Sequence, residues 1–444
     1  MSTKSFNLII NDKISSFKKI INVDSDKSIS IRSFLIGSIS QNISFVKNIL
    51  ESEDVFSTIK CLKKLGVKIM KKKNKEYLVY GKGLGSLNIK KNSELDFGNS
   101  GTLARLLIGI LSTTPNIEVK LKGDHSLNKR SMKKLIVLMN RFGATFFPKN
   151  KFTFPLKIIS SKIPLGINYK AGVSAQLKSA VMLGGLNAWG NTVIFEQEKS
   201  RDHTENILIN SKVVKKQRKK IYIQGKKFLR PLRIKVPGDP SSAAFFTALT
   251  LLKKNSKIRI NNVGLNPTRI GFYKLLISHN AKIKFIKLKK INNELCGDIE
   301  VKSCVIKPIK ASKNYYVNST DEYPILFVIA ALSDGISSFT GIEDLANKES
   351  NRIKEMQKIL KQIGVNSIFN NNKLKIFGRG MIDASKKKIV VSNLGDHRIC
   401  MSSFILSILT GAKTKIKNFE TVNTSSPSFL KIMKSLGAKF EVKK

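Results

Sequence analysis

The sequence predicts an α/β protein of two similar lobes, each built from three copies of one unit. Three observations carry that reading. The chain is 444 residues long, a capped amphipathic helix recurs along it, and a second, apolar helix series is interleaved with the first. A chain of this length outgrows a single hydrophobic core, so two domains are expected. With 41% hydrophobic and 25% charged residues the composition is globular and excludes a disordered chain.

The first helix series is clearest in CLKKLGVKI (61–69), LIVLMNRFGATF (135–146), LLISHNAKI (275–283), MQKILKQIGVNSI (356–368) and FLKIMKSLGAKF (429–440). Each places apolar residues at helical spacing, then Gly or Asn, then the start of a strand. Gly and Asn at that point read as left-handed C-caps. The stretch ENILINSKVVKKQRKKIYI sits where a sixth copy belongs but lacks the cap residue, so it reads as degenerate. Copies are spaced by about 65–85 residues, too long for a solenoid and suited to a compact α/β unit.

The second series comprises segments 26–40, 99–112, 174–186, 239–252, 320–332 and 395–409. All six open with Ser, Thr, Asp, Asn or Gly and continue as apolar on every side. The openings are N-caps, and the apolar bodies predict buried helices. A helix start carries free N–H groups and the positive end of the helix dipole, so six such starts suit negatively charged ligands. The expected boundaries are residues 24–238 for an N-terminal lobe and residues 1–23 plus 239–444 for a C-terminal lobe. Hinges are expected near Val23–Asp26 and Val236–Asp239, and the strand-like SFNLIIN segment near the N-terminus is expected to return to the second lobe.

Composition narrows the function classes. No apolar run approaches the roughly 20 residues of a membrane span, and the N-terminus lacks the pattern of a signal peptide. A soluble cytoplasmic protein with no membrane partner is expected. The four cysteines show no paired metal-ligand spacing, so free thiols and no metal are expected. The formal charge of +50 comes from 67 Lys and 13 Arg, with Lys in solvated-looking runs such as Lys71-Lys72-Lys73. Recognition of phosphates and bases favours the rigid fork of Arg, so this diffuse Lys excess does not predict nucleic-acid binding.

The scarce arginines are more telling. Arg32, Arg105, Arg130, Arg201, Arg352 and Arg398 lie in or beside the polar motifs, as do His125, His203 and His397. Such a concentration marks anion sites, although Arg105 and Arg201 are also expected to satisfy carboxylates such as Asp96 or Asp202.

Asp26-Lys27-Ser28 through Arg32, Gly98-Asn99-Ser100-Gly101-Thr102 with Arg105, Gly123-Asp124 through Arg130, and Ser174-Ala175-Gln176 stand in order along the chain. Ser200-Arg201-Asp202-His203-Thr204-Glu205, Val236-Pro237-Gly238-Asp239, Asp321-Glu322, Lys348-Glu349-Ser350 with Arg352, and Gly395-Asp396-His397-Arg398 follow. Together these motifs resemble the 5-enolpyruvylshikimate-3-phosphate synthase family over roughly residues 20 to 430. The resemblance implies a two-lobed inside-out α/β barrel, each lobe made of three βαβαββ repeats with buried helices and outer sheets. It also implies transfer of the enolpyruvyl group of phosphoenolpyruvate to the 5-hydroxyl of shikimate-3-phosphate, with loss of phosphate and without a cofactor. That step belongs to the shikimate pathway, towards chorismate and the aromatic amino acids.

The same resemblance implies site residues. Lys27 would touch both substrates. Ser28, Arg32, Ser174, Ala175 and Gln176 would hold shikimate-3-phosphate, with Arg201 a further candidate for its phosphate. Gly101, Arg130, Gln176, Arg352 and Arg398 would hold phosphoenolpyruvate. Asp321 would be the base for the 5-hydroxyl, Glu349 the acid that protonates the methylene, and Lys348 would bind the sugar beside Asp321. The bland alternative for Asp321 is an N-cap, a role Thr320 could serve instead, and the serines can cap their helices while binding a ligand. Some members tolerant of the herbicide glyphosate carry Ala where this chain has Gly101, so sensitivity is expected. The chain departs from the family pattern at Ser25, Ser131, Asn351 and Thr424-Ser425-Ser426; these changes bear on the hinge and on the orientation of Arg130.

Two rivals remain at this point. A UDP-N-acetylglucosamine enolpyruvyl transferase of the same fold typically carries a loop Cys as its acid, and Leu106–Met132 contains none. An RNA-end-processing protein of related repeats would need aromatic stacking platforms, which the polar motifs lack. The expected partners are the two small-molecule substrates, acting on a monomer.

Overall fold

A computed structural model describes residues 5–392 and 394–443. The chain divides into two compact units. The N-terminal unit takes in Ser25–Val236 with Ile291–Glu294; the C-terminal unit takes in the chain up to Asp24, Pro237–Lys290 and the chain from Leu295 onward.

The N-terminal unit carries three four-stranded sheets of one design. In the middle one, Glu94–Asp96 runs parallel to Glu118–Lys122, which pairs antiparallel with Leu156–Ile159, itself antiparallel to Thr145–Phe147. A helix follows the first strand and another follows the second, giving a βαβαββ unit. The sheet of Asn168–Ala171, Asn191–Glu196, Lys220–Gln224 and Val214–Gln217 repeats this order. The remaining sheet obtains its parallel edge strand, Arg233–Lys235, from the far end of the unit, paired with Ile43–Lys47.

The C-terminal unit uses the same design three times. Lys310–Ala311, Asp334–Thr340, Lys373–Arg379 and Ser367–Asn370, neighbours in that order, form one sheet from four strands consecutive in the chain. In a second, Lys18–Asn22 lies parallel to Lys257–Gly264. In the third, Asn7–Ile10 pairs antiparallel with both Lys413–Ile416 and Glu441–Lys443. The N-terminal strand therefore completes the last repeat, as its apolar pattern predicts.

In each unit the helices of the apolar series form the interior and the sheets the outside. Helices Lys27–Ile39, Gly101–Thr113 and Ala175–Gly185 bury nearly every residue in one unit; Pro240–Leu252, Tyr323–Ala331 and His397–Thr410 do so in the other. Helices apolar on all sides must be wrapped, and the strands supply the wrapping by alternating a buried face with a solvent face, as in Lys388–Val391. Each unit has its own contiguous apolar core.

The predicted caps form. Gly66, Gly143, Asn280, Gly364 and Gly437 all adopt left-handed backbone with φ between 67° and 95°, where Gly and Asn meet least steric cost. The sixth copy corrects the sequence reading: helix His203–Leu208 runs into a short 3₁₀ turn that ends at Lys212, itself left-handed at φ 56°. The cap geometry is present and its usual residue is not. Five of the six apolar helices are capped by a side chain, from Asp26, Ser100, Ser174, Asp239 and Asp396. The sixth begins later than its sequence suggests, at Tyr323, after a 3₁₀ turn over Thr320–Glu322.

Candidate active site

In the N-terminal unit, three helix starts and the loops beside them carry the polar motifs. Asp26 accepts the Ile29 N–H at 2.8 Å and so begins the first helix at Lys27. Lys27 Nζ lies 3.1 Å from Asp54 of the next helix. Ser28 is half-buried on the same turn. Arg32, one turn further, is buried: Nε donates to Thr204 Oγ1 at 2.9 Å, Nη2 to Ser179 Oγ at 3.1 Å and Nη1 to the Ser28 carbonyl at 3.0 Å. These bonds fix Arg32 beneath Ser28 and tie the first helix to the Thr204 segment.

Gly101 opens the second apolar helix where a side chain has no room. A Cβ there would stand 2.6 Å from Arg105 Nη1 and 3.3 Å from Arg130 Nη1. Arg105 Nη1 donates to the Gly101 carbonyl at 3.1 Å and to Gln176 Oε1 at 2.9 Å, and Gln176 Nε2 donates to Thr102 Oγ1 at 3.0 Å. Arg105 therefore orients Gln176. The expected pairing with Asp96 does not form, because Asp96 is an exposed strand end that accepts the Gly98 N–H and lies 3.9 Å from Lys122. Arg130 Nη2 donates to Asn99 Oδ1 at 2.7 Å and Ser126 Oγ at 3.2 Å. Two side chains of the neighbouring motifs thus aim this guanidinium although Ser131 follows it.

Ser174 caps the third helix by accepting the Leu177 N–H, with Ala175 as its first residue. Arg201 is half-buried on the loop before helix His203–Leu208, while Asp202 pairs with Lys199 at 3.4 Å and Lys216 at 3.6 Å.

The C-terminal unit gathers carboxylates around one cation. Arg352 is buried: Nε donates to Asp396 Oδ2 at 2.9 Å, Nη2 to Glu349 Oε2 at 2.7 Å, and Nη1 stands 3.8 Å from Asp321. Burial alone would pull the Arg352 pKa down, but Asp396, Glu349 and Asp321 outweigh it and the net shift is upward. Arg352 is therefore a permanent cation. Its Nη1 is buried and, among the described residues, makes no hydrogen bond. Asp396 also accepts from Ser350 Oγ and caps the last apolar helix through the Arg398 N–H. Arg398 is buried with its guanidinium 5.8 Å from the centre of the Phe245 ring, and among the described residues its Nε and Nη1 find no hydrogen-bond acceptor. Unsatisfied buried donors are rare and costly, and planar Arg donors match carboxylate and phosphate oxygens.

Asp321 sits on the 3₁₀ turn and caps nothing by its side chain; Thr320 Oγ1 donates to the Tyr316 carbonyl instead. The capping alternatives for both residues fall away. Lys348 Nζ lies 2.5 Å from Asp344, which also accepts the Tyr316 hydroxyl at 2.9 Å. Burial first, then Asp344, drives the Tyr316 pKa upward, so the phenol remains a donor. Asn351 Oδ1 accepts the Lys354 N–H and caps helix Arg352–Gln362. Among the described residues no three His, Cys, Asp or Glu cluster as a metal site requires, and no helix is long and apolar enough to cross a membrane.

Sequence reasoning missed Asp54, Asp344, Tyr316 and the part played by Asp396. Only Asp396 gave a signal, as the polar opening of an apolar helix next to Arg398.

Comparison with known proteins identifies the family. The family model for EPSP synthase (3-phosphoshikimate 1-carboxyvinyltransferase) matches residues 11–433. A 3-phosphoshikimate 1-carboxyvinyltransferase of Caldicellulosiruptor saccharolyticus is 39% identical over 435 residues, covering 96% of this chain and 98% of that protein. One of Zymomonas mobilis is 35% identical over 431 residues, covering 95% and 94%. The solved EPSP synthase of Acinetobacter baumannii superposes with a TM-score of 0.85 at 33% identity, covering 99% of this chain and all of that one. The enolpyruvyl transferase NikO of Streptomyces tendae, at 12% identity, shares the fold with a TM-score of 0.75 over 99% of this chain and 98% of that one. This chain belongs to the EPSP synthase family.

Proposed function

We propose that this chain is a 3-phosphoshikimate 1-carboxyvinyltransferase, joining phosphoenolpyruvate to the 5-hydroxyl of shikimate-3-phosphate in the shikimate pathway. The observation that carries the reading is the Arg352 cluster, three carboxylates on one buried guanidinium with Arg398 alongside, in a chain whose family is defined by this reaction.

The roles divide between the units. Arg352 and Arg398 hold the phosphoenolpyruvate anion with Arg130, and Lys27 meets both substrates. Ser28, Arg32, Ser174, Ala175, Gln176 and Arg201 form the shikimate-3-phosphate side, Arg32 chiefly by fixing Ser28. Lys348, held by Asp344, supports the sugar ring.

In the addition step Asp321 takes the proton of the 5-hydroxyl, whose oxygen attacks C2 of phosphoenolpyruvate while Glu349 delivers a proton to C3. In the elimination step C3 gives up a proton, the double bond re-forms and phosphate leaves C2 with its bonding electron pair. Fixed cations neutralise the charge that gathers on the phosphate and carboxylate. Each unit has its own core, so the reading requires only a monomer, and it places the enzyme in the cytoplasm.

Incubating the protein with both substrates and analysing the products tests this. The expected pair is the 5-O-enolpyruvyl ether of shikimate-3-phosphate and one equivalent of phosphate. Phosphate released without that ether would overturn it. The UDP-N-acetylglucosamine rival is disfavoured by the family match and by the absence of Cys from Leu106–Met132.

A further inference from the structure

Beneath the Ser174 helix start lies a charge cluster that the reaction does not use. Lys178, one turn into that helix, is fully buried, with Nζ 2.6 Å from Glu196 and 2.8 Å from Glu205. Glu196 Oε1 also accepts both the N–H of Ser200 at 2.9 Å and its hydroxyl at 2.8 Å. Lys178 Nζ reaches the Ser200 carbonyl at 3.5 Å, and Ser200 is wholly buried. Three polar groups of Ser200 are thus held by one ion pair.

The location gives this meaning. Lys178 shares a helix with Ser174, Ala175 and Gln176, its own N–H bonded to the Ser174 carbonyl. Ser200 immediately precedes Arg201. The neighbouring Ser179 and Thr204, 2.8 Å apart, receive two N–H groups of Arg32. One ammonium, that of Lys178, therefore serves two carboxylates, Glu196 and Glu205. Burial pulls the Lys178 pKa down, but Glu205 and Glu196 outweigh it and the net shift is upward, which keeps the ammonium charged.

We propose that Lys178 and Glu196 are positioning residues that lock the Ser200–Arg201 loop against the Ser174–Gln176 helix start, and thereby set the fit of the shikimate-3-phosphate phosphate. The inference rests on the assignment of that phosphate to Ser174, Ala175, Gln176 and Arg201 in the proposed function. A lysine with a plain stabilising role would leave affinity for the two substrates in proportion. A positioning role affects chiefly shikimate-3-phosphate, because Ser174, Ala175 and Arg201 serve that substrate alone.

The test compares wild type, Lys178→Met and Glu196→Gln in steady-state turnover and in the shift of melting temperature that shikimate-3-phosphate alone produces. Glu196→Gln keeps an acceptor for Ser200 and leaves Lys178 paired with Glu205, so it is the variant expected to fold if Lys178→Met does not. The KM for shikimate-3-phosphate should rise about tenfold or more in Lys178→Met and several-fold in Glu196→Gln, an effect of roughly 1.4 kcal/mol per factor of ten. The KM for phosphoenolpyruvate should stay within about twofold, and the melting shift should shrink in step. Equal rises for both substrates, or folded variants with an unchanged shikimate-3-phosphate KM, would overturn the proposal. A wild type that neither binds nor turns over shikimate-3-phosphate would refute the function itself instead.

Discussion

Arg352 and Asp396 are buried together, with Arg352 Nε donating to Asp396 Oδ2 at 2.9 Å, while the same carboxylate accepts the backbone N–H of Arg398 at 3.0 Å. One side chain therefore sets two of the three arginines assigned to the phosphoenolpyruvate anion.

Asp396→Ala should be the most damaging single change in the C-terminal unit. Removing one partner of a buried pair costs about 3–5 kcal/mol, which denaturant unfolding would measure. Asp396→Asn keeps an acceptor for the Arg398 N–H but loses the charge and sets an NH2 where Oδ2 accepts from Ser350 and Arg352. Its KM for phosphoenolpyruvate should rise at least tenfold, with shikimate-3-phosphate affected less. Equal loss for both substrates would contradict the assignment.

Asp321→Ala should lower turnover by about 10²–10⁴, the usual contribution of a general acid or base, with KM values changed only a few-fold. Asp321 is partly exposed, with a side-chain accessibility of 26%, and caps no helix. Near-normal turnover would remove Asp321 from the mechanism.

Gly101→Ala should leave the fold intact and weaken the phosphoenolpyruvate site. The added methyl meets the far ends of two flexible side chains, but Arg105 Nη1 must leave Gln176 Oε1 to make room, and Arg130 must yield by a few tenths of an ångström. The expected results are glyphosate inhibition of the wild type, weaker inhibition of the variant and a raised phosphoenolpyruvate KM. A wild type turning over normally in glyphosate well above that KM would contradict the reading.

Alkylation at neutral pH should label Cys304 in the native protein and leave activity intact. Cys61, Cys296 and Cys400 are buried, whereas Cys304 is partly exposed. Burial first, then Asp96, pushes the Cys61 thiol up to about 12, and burial raises Cys400 as well. Reactivity follows the thiolate and its access. Activity lost in step with labelling would point to a cysteine acid, the chemistry of the UDP-sugar rival.

The repeat architecture was legible because local chemistry writes it. Gly66, Gly143, Asn280, Gly364 and Gly437 mark helix ends that only a few residue types tolerate. Lys212 occupies the same left-handed position without that signature, so the sixth copy read as degenerate. The 3₁₀ turn at Thr320–Glu322 was hidden by a sequence that suits an N-cap. Within the site, the arginines stood out by their scarcity, but their partners did not. Asp396 lies 44 residues from Arg352, and Tyr316 lies 28 from Asp344. Pairs so distant are set by how the repeats pack, which periodicity cannot convey. Arg105 shows the same limit: its neighbour in sequence terms was Asp96, and its partner in space is Gln176.

The most direct measurement is the rate of phosphate release from phosphoenolpyruvate by the purified chain, with shikimate-3-phosphate in one arm and UDP-N-acetylglucosamine in the other. The account predicts saturable release that requires shikimate-3-phosphate and none above background with the UDP-sugar. Release that depends on UDP-N-acetylglucosamine, or that ignores both acceptors, would contradict it.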